Sequence, residues 1–180
     1  MAIASPEIKI GIIGGSGLAD LLAAQTQGKR HEVDTPFGKP ADTIVETQWN
    51  GLSVFFLARH GSGHLFNPSQ VPYRANIFAM KMLGVTHVIA SGAVGSLRDE
   101  LQPRDLVIVD QVIDKTHKRA NTFYDHAAVH VEFAEPFCPI LRQILLASHA
   151  ETRDFRIHPK GCYVAMEGPA FSTRAFCAEL

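Results

Sequence analysis

Four times along its 180 residues the chain runs an apolar stretch into a short loop of glycine, hydroxyl or cation. "IKIGII" empties into "GGSG", the run ending at Ala58 into "RHG", "THVIA" into "SGAVGS", and the run ending at Met166 into "EGPAFS". No other feature narrows the fold as far. Ile8 to Ile13 is β-branched at every apolar position, which makes a buried strand, and the glycines that follow stop it in a tight turn. Helical spacings fall between the strands, so the alternation predicts an α/β layer fold with a mainly parallel or mixed sheet. Such folds collect ligands at the C-terminal ends of their strands. The four loops are therefore where a site belongs.

The intervening elements follow from spacing and punctuation. Leu18 to Ala24 reads as a short helix. Asp42 to Thr47 and Leu52 to Ala58 read as hairpin strands, because Asn50-Gly51 in "QWNG" suits a two-residue turn with positive φ. Ile77, Met80 and Leu83 give Val71 to Leu83 a helical stripe, and Gly84 is a natural stop. His87 to Ala90, Asp105 to Asp114 and Gly161 to Met166 read as strands, and Pro139 to Ala150 as the most amphipathic helix. Ser172 and Thr173 supply the cap of a last helix. No repeat, low-complexity tract or linker interrupts the chain, so one domain over residues 1–180 is expected.

Composition excludes several classes. The formal charge is −1 with 19% charged residues, and without a basic stripe there is no footprint for nucleic acid. Cys138, Cys162 and Cys177 are too few and too scattered for a disulfide framework or a CxxC metal knuckle. "MAIASPEIKI" has no long apolar core, and no run nears the ~18 apolar residues of a membrane span. A soluble cytoplasmic protein with no membrane partner is the expectation.

The loops carry the chemistry. Gly14, Gly15 and Gly17 free backbone N–H groups and Ser16 adds a hydroxyl, a combination suited to an oxyanion such as phosphate. A tight strand-to-helix turn without ligand accounts for the same residues. Arg59 can grip an anion through two parallel N–H bonds with His60 beside it, and Ser91 to Ser96 offers further amides. His60 and His64 would bind a metal at i, i+4 only on a helix, which Gly61 and Gly63 oppose. Phe171 beside Ser172 suits a flat heterocycle, as it also suits plain packing. No GxGxxG fingerprint or Walker loop can be placed, which disfavours a dinucleotide-binding domain.

With the loops in this order, the chain resembles the purine nucleoside phosphorylase superfamily, in the trimeric branch that acts on 5′-methylthioadenosine. The matching segments are "KIGIIGGSGL", "DTPFGKPAD", "LARHGSGH", "VPYRANIFAMKMLGVTHVIASGAVGSL", "DLVIVDQVIDKT", "TFYDH", "AEPFCP" and "EGPAFSTRA". The resemblance implies a three-layer α/β fold with a mixed central sheet flanked by helices, of which this chain holds the N-terminal portion. It implies phosphorolysis: inorganic phosphate attacks C1′ of the thioribose while the purine leaves, with neither cofactor nor metal. By position, Ser16, Arg59, His60, Gly92 and Ala93 would hold phosphate, and His64, Met166, Phe171 and Ser172 would line the nucleoside pocket. His130 matches a residue that reaches the neighbouring subunit's substrate, implying a homotrimer.

The sequence also departs from the family pattern. Gly92 replaces a threonine or asparagine, and Ala170 an arginine. Arg104 replaces the glycine of a "PGD" turn, and because arginine takes positive φ only at a cost, a different turn type is expected there. Phe176 replaces the glutamate that would complete a capping box with Thr173. The family's next two motifs, one contacting ribose and phosphate and one carrying the general-acid aspartate, lie past Leu180. No catalytic residue is therefore assigned within the chain. The alternative expectation is a truncated, inactive member that retains phosphate binding or subunit association.

Overall fold

The structure is a computed structural model that describes residues 7–15, 17, 28–148 and 155–180. The chain divides into two compact units, the first built of residues 1–94 with Arg119–Phe123, the second of Gly95–Lys118 with Tyr124–Leu180.

The first unit holds a five-stranded mixed sheet in the order β2-β3-β4-β1-β5, with β1 Lys9–Gly14, β2 Lys29–His31, β3 Ile44–Trp49, β4 Leu52–Ala58 and β5 His87–Ala90. β1 runs parallel to both β4 and β5, whereas the β2–β3 and β3–β4 pairs are antiparallel. The hairpin between β3 and β4 turns on Asn50 at φ 48° and Gly51 at φ 80°, the pair of left-handed conformations that Asn-Gly adopts readily. β3 starts and ends two residues later than the sequence predicts. The short edge strand β2 has no alternation to announce it. The expected helix over Leu18 to Ala24 lies outside the described residues.

α1, Tyr73–Met82, packs on the sheet and ends in a Schellman arrangement: Gly84 at φ 79° donates to the Lys81 carbonyl and Val85 donates to the Met80 carbonyl, both at 3.0 Å. Its inward face is Ala75, Asn76, Ala79 and Met80, while Ile77 is exposed. Asn76 is held in the interior by its Oδ1, which accepts from the Ala41 N–H at 2.7 Å. Gly11 lets helix and sheet approach, since a Cβ there would stand 3.3 Å from Met80 Sδ on α1 and 3.0 Å from Val85 Cγ1 just after it. Phe55, Ile44, Leu57 and Met80 are the largest fully buried side chains, each contributing about 1.5–3 kcal/mol from burial.

The second unit has two parallel pairs, β6 Leu106–Val107 with β8 Ile157–His158, and β7 Gln111–Lys115 with β9 Cys162–Met166. The single strand expected over Asp105 to Asp114 is thus two. The break has a physical cause: Arg142 donates to the carbonyls of Ile108 at 3.2 Å, Val109 at 2.9 Å and Pro159 at 2.6 Å, taking acceptors a continuous ladder would use. Arg142 stands on α2, Pro139–Ser148, and among the described residues none of that helix's side chains is buried. α3, Arg174–Glu179, is capped by Thr173, whose Oγ1 accepts from the Phe176 N–H at 3.2 Å. That half of the capping box survives without the glutamate.

The turn at Arg104 corrects another expectation. Arg104 does take positive φ, 77°, and the Asp105 N–H closes on the Gln102 carbonyl at 3.0 Å, the pattern of a type II turn with Pro103 at its second position. Polar bonds around Asp105 hold it: His158 Nε2–H donates to Oδ2 at 2.7 Å and the Gln102 N–H donates to the same oxygen at 3.0 Å.

Candidate functional site

Because β4, β1 and β5 are adjacent and parallel, their C-terminal ends open on one edge. Gly14 lies opposite Ala58, and Ile13 opposite Ala90. The next residues, Gly15, Arg59 and Ser91, are thereby neighbours although far apart in sequence. The Arg59 N–H donates to the Gly14 carbonyl at 3.2 Å and the Ser91 N–H to the Ile13 carbonyl at 2.9 Å, extending the ladder into the loops.

The Arg59 side chain joins the three ends. Its Nη1 donates to the Ser91 carbonyl at 2.8 Å. A Cβ on Gly15 would lie 3.7 Å from Nη2, and one on Gly92 would lie 3.6 Å from it. Nη2 of the guanidinium therefore lies close to glycine backbone of both the first and the third loop. That arrangement can bind a tetrahedral anion. Ala93 continues the exposed Ser91–Ser96 loop. Ser16 lies outside the described residues.

His60 begins a closed loop. Its Nδ1–H donates to the Phe66 carbonyl at 3.0 Å, and the Phe66 N–H returns to the His60 carbonyl at 3.1 Å. Gly61, Gly63 and His64 take φ of 73°, 75° and 57°, so the helix that an i, i+4 metal pair would need is absent. The His60 and His64 rings stack instead, with centroids 5.8 Å apart.

In the second unit Ser172 Oγ meets Met166 Sδ at 2.7 Å, bringing together two residues expected around a nucleoside. Phe171 is 99% exposed. His130 is exposed on an irregular segment before α2. Sequence reasoning missed Glu167, which is 5% exposed and accepts from the His117 and Lys118 N–H groups at 2.6 and 2.8 Å. A carboxylate between an apolar strand and Gly-Pro was its only signal. It also missed Asp105, whose carboxyl is held below the usual carboxylate range by the hydrogen bond from His158 and then by the Gln102 N–H.

Residues 9–180 match the family model of the phosphorylase superfamily. The S-methyl-5′-thioadenosine phosphorylase of Hyperthermus butylicus is 49% identical over 173 residues, covering 94% of this chain and 62% of that protein. The protein of the same name from Pyrococcus horikoshii is 50% identical over 168 residues, covering 93% and 64%. Among solved structures, methylthioadenosine phosphorylase from Schistosoma mansoni in complex with adenine superposes with a TM-score of 0.88 at 40% identity, covering 96% of this chain and 70% of that one. The chain spans less than two thirds of the length of these curated relatives. Its α/β fold, its mixed sheet and the match along nearly its whole length make it a member of the phosphorylase superfamily.

Proposed function

We propose that the chain is the phosphate-holding portion of an enzyme that cleaves 5′-methylthioadenosine, or a related purine nucleoside, to the free purine and 5-methylthioribose 1-phosphate, within purine and methionine salvage. The observation that carries this reading is the convergence of three parallel strand ends on Arg59, with the backbone of Gly15 and Gly92 close to its guanidinium. Relatives named S-methyl-5′-thioadenosine phosphorylase, and a similar structure solved with adenine, support the substrate class.

An oxygen of phosphate forms a bond to C1′ as the bond from C1′ to the purine breaks, and positive charge builds on the sugar between them. Arg59, His60 and the loop amides of Gly92 and Ala93, with Ser16, fix the anion beneath that carbon, so the rate gain rests on positioning and on charge already in place. Met166, Phe171, Ser172 and His64 line the nucleoside. His130 of one chain reaches the substrate of the next in a cytoplasmic homotrimer. Neither cofactor nor metal is required.

The near-complete exposure of Phe171 favours a second reading, in which this 180-residue chain binds phosphate or associates with its kin without turning over a nucleoside. Phosphate-dependent adenine release from methylthioadenosine by the purified chain, with inosine as comparison, decides between them. Release is expected under the first reading. Its absence alongside retained phosphate binding establishes the second.

A further inference from the structure

We propose that Glu167 is a positioning residue for the nucleoside wall, its buried carboxylate fixing the base of the loop that carries Phe171 and Ser172. This rests on the reading of Met166, Phe171 and Ser172 as residues that line a nucleoside.

The β7–β9 ladder runs from Gln111 opposite Cys162 to Lys115 opposite Met166 and stops there. The next three N–H groups after β7 go to carboxylates: Thr116 donates to Asp114 Oδ1 at 2.8 Å, and His117 and Lys118 donate to Glu167 Oε2 at 2.6 and 2.8 Å. Asp114 lies two residues back, so its bond only turns its own strand. Glu167 lies 50 and 49 residues further along than its two donors. It therefore joins the two segments that leave the ladder.

A second contact closes the loop. The Ser172 hydroxyl donates to Met166 Sδ at 2.7 Å, so the loop is held at its start by Glu167 and at its end by the last residue of β9. Phe171 stands between these fixed points and is 99% exposed. An aromatic ring presented from a short loop with both ends tied loses little freedom when a flat ligand stacks on it, and that preorganisation favours binding.

Glu167 is 5% exposed, and burying a carboxylate costs free energy that an apolar side chain of its size would not. Stability alone does not account for an acid at this place. What the acid supplies is geometry: one oxygen accepts charge-assisted bonds from two consecutive N–H groups and so fixes how the chain leaves β9.

The test is calorimetric titration of the 180-residue chain with 5′-methylthioadenosine and, separately, with sodium phosphate. Glu167→Gln keeps the shape and one acceptor but loses the charge, and its affinity for methylthioadenosine should fall about tenfold. Glu167→Ala removes the acceptor from both N–H groups and should lose at least about a hundredfold. Phosphate affinity should stay within about twofold in both variants, because Arg59 belongs to the other unit. Asp110→Asn is the comparison for a merely structural bond. Its Oδ1 accepts from the Gly161 N–H at 3.0 Å at the opposite end of the same ladder, and methylthioadenosine affinity should stay within about twofold of wild type. Hydrogen exchange on the ligand-free proteins separates positioning from unfolding: Glu167→Gln should expose the His117 and Lys118 amides and leave the β7–β9 ladder protected. Unchanged methylthioadenosine affinity in both Glu167 variants overturns the proposal. So does an equal loss in Asp110→Asn, or loss of protection throughout β7 and β9 in Glu167→Gln, since either makes the carboxylate an ordinary structural joint. Wild-type protein that takes up no methylthioadenosine, or affinity undiminished in Phe171→Ala, overturns the nucleoside reading and this inference with it.

Discussion

The two units are held together differently. In the first, Phe55, Ile44, Leu57, Met80 and their neighbours bury an apolar core between the sheet and α1, Val54 and Phe56 form a second cluster with Ile10 and Ile12, and every buried apolar side chain among the described residues belongs to this unit. In the second, the buried side chain among the described residues is the Glu167 carboxylate. Its segments are joined by directed polar bonds: Arg142 to three carbonyls, His158 to Asp105, Asp110 to the Gly161 N–H and Glu167 to two backbone N–H groups. Burial stabilises without regard to direction, whereas a hydrogen bond stabilises only in one geometry. The first unit can therefore carry a rigid anion site on its strand ends. The second depends on each polar contact being kept.

The largest expected effect tests that contrast directly. Phe55→Ala should destabilise the first unit by about 3–5 kcal/mol through lost burial and the cavity left behind. Ile144 is 59% exposed on α2, and Ile144→Ala should cost less than about 0.5 kcal/mol. Urea unfolding followed by fluorescence and circular dichroism measures both. Similar losses in the two variants would show that α2 buries its apolar face and would break the comparison.

How far the sequence was legible follows the same division. Strand-forming runs that end in glycine were readable in the first unit because burial imprints a pattern on residue type: β4 and β5 have the bounds expected from sequence, and the Asn50-Gly51 turn has the expected φ signs. Asn76 was not readable, because its place inside depends on the Ala41 N–H arriving from another segment. The convergence of the loops on Arg59 depends on β1 lying between β4 and β5, an order no local pattern encodes. In the second unit Asp105 to Asp114 has the composition of one strand, and the break comes from Arg142, remote in sequence. Residues chosen for partners far along the chain leave no periodic trace.

A smaller effect of opposite sign is expected at the turn that the polar bonds of the second unit enforce. Arg104 sits at φ 77°, a conformation that costs a side-chain-bearing residue about 1–2 kcal/mol and costs glycine little. Arg104→Gly should therefore stabilise the folded chain by about 1 kcal/mol, less than the full strain because glycine also loosens the unfolded chain. A rise in the urea midpoint with an unchanged slope is the expected record. A fall would mean that the arginine side chain contributes more than its backbone strain costs.

The smallest expected change concerns the acid side of the same turn. The Asp105 carboxyl is held below its usual range, chiefly by the His158 hydrogen bond and then by the Gln102 N–H, with Arg156 adding to the effect and partial burial opposing it. A carboxylate that titrates lower in the folded chain than in the unfolded one releases its proton more readily when folded. Its contribution is therefore present in full above the unfolded value, about pH 4, and is lost as pH falls through the folded value. Asp105→Asn keeps the shape and one acceptor but removes the charge. The wild type should melt above the variant at pH 6 to 7, and the gap should close as the pH is lowered from about 4 toward 2. Thermal melts of both proteins across that range measure it. A gap that stays constant down to the lowest pH would assign the stabilisation to the hydrogen-bond geometry of the turn rather than to the ionised carboxylate, and the second unit would then owe its polar joints to shape alone.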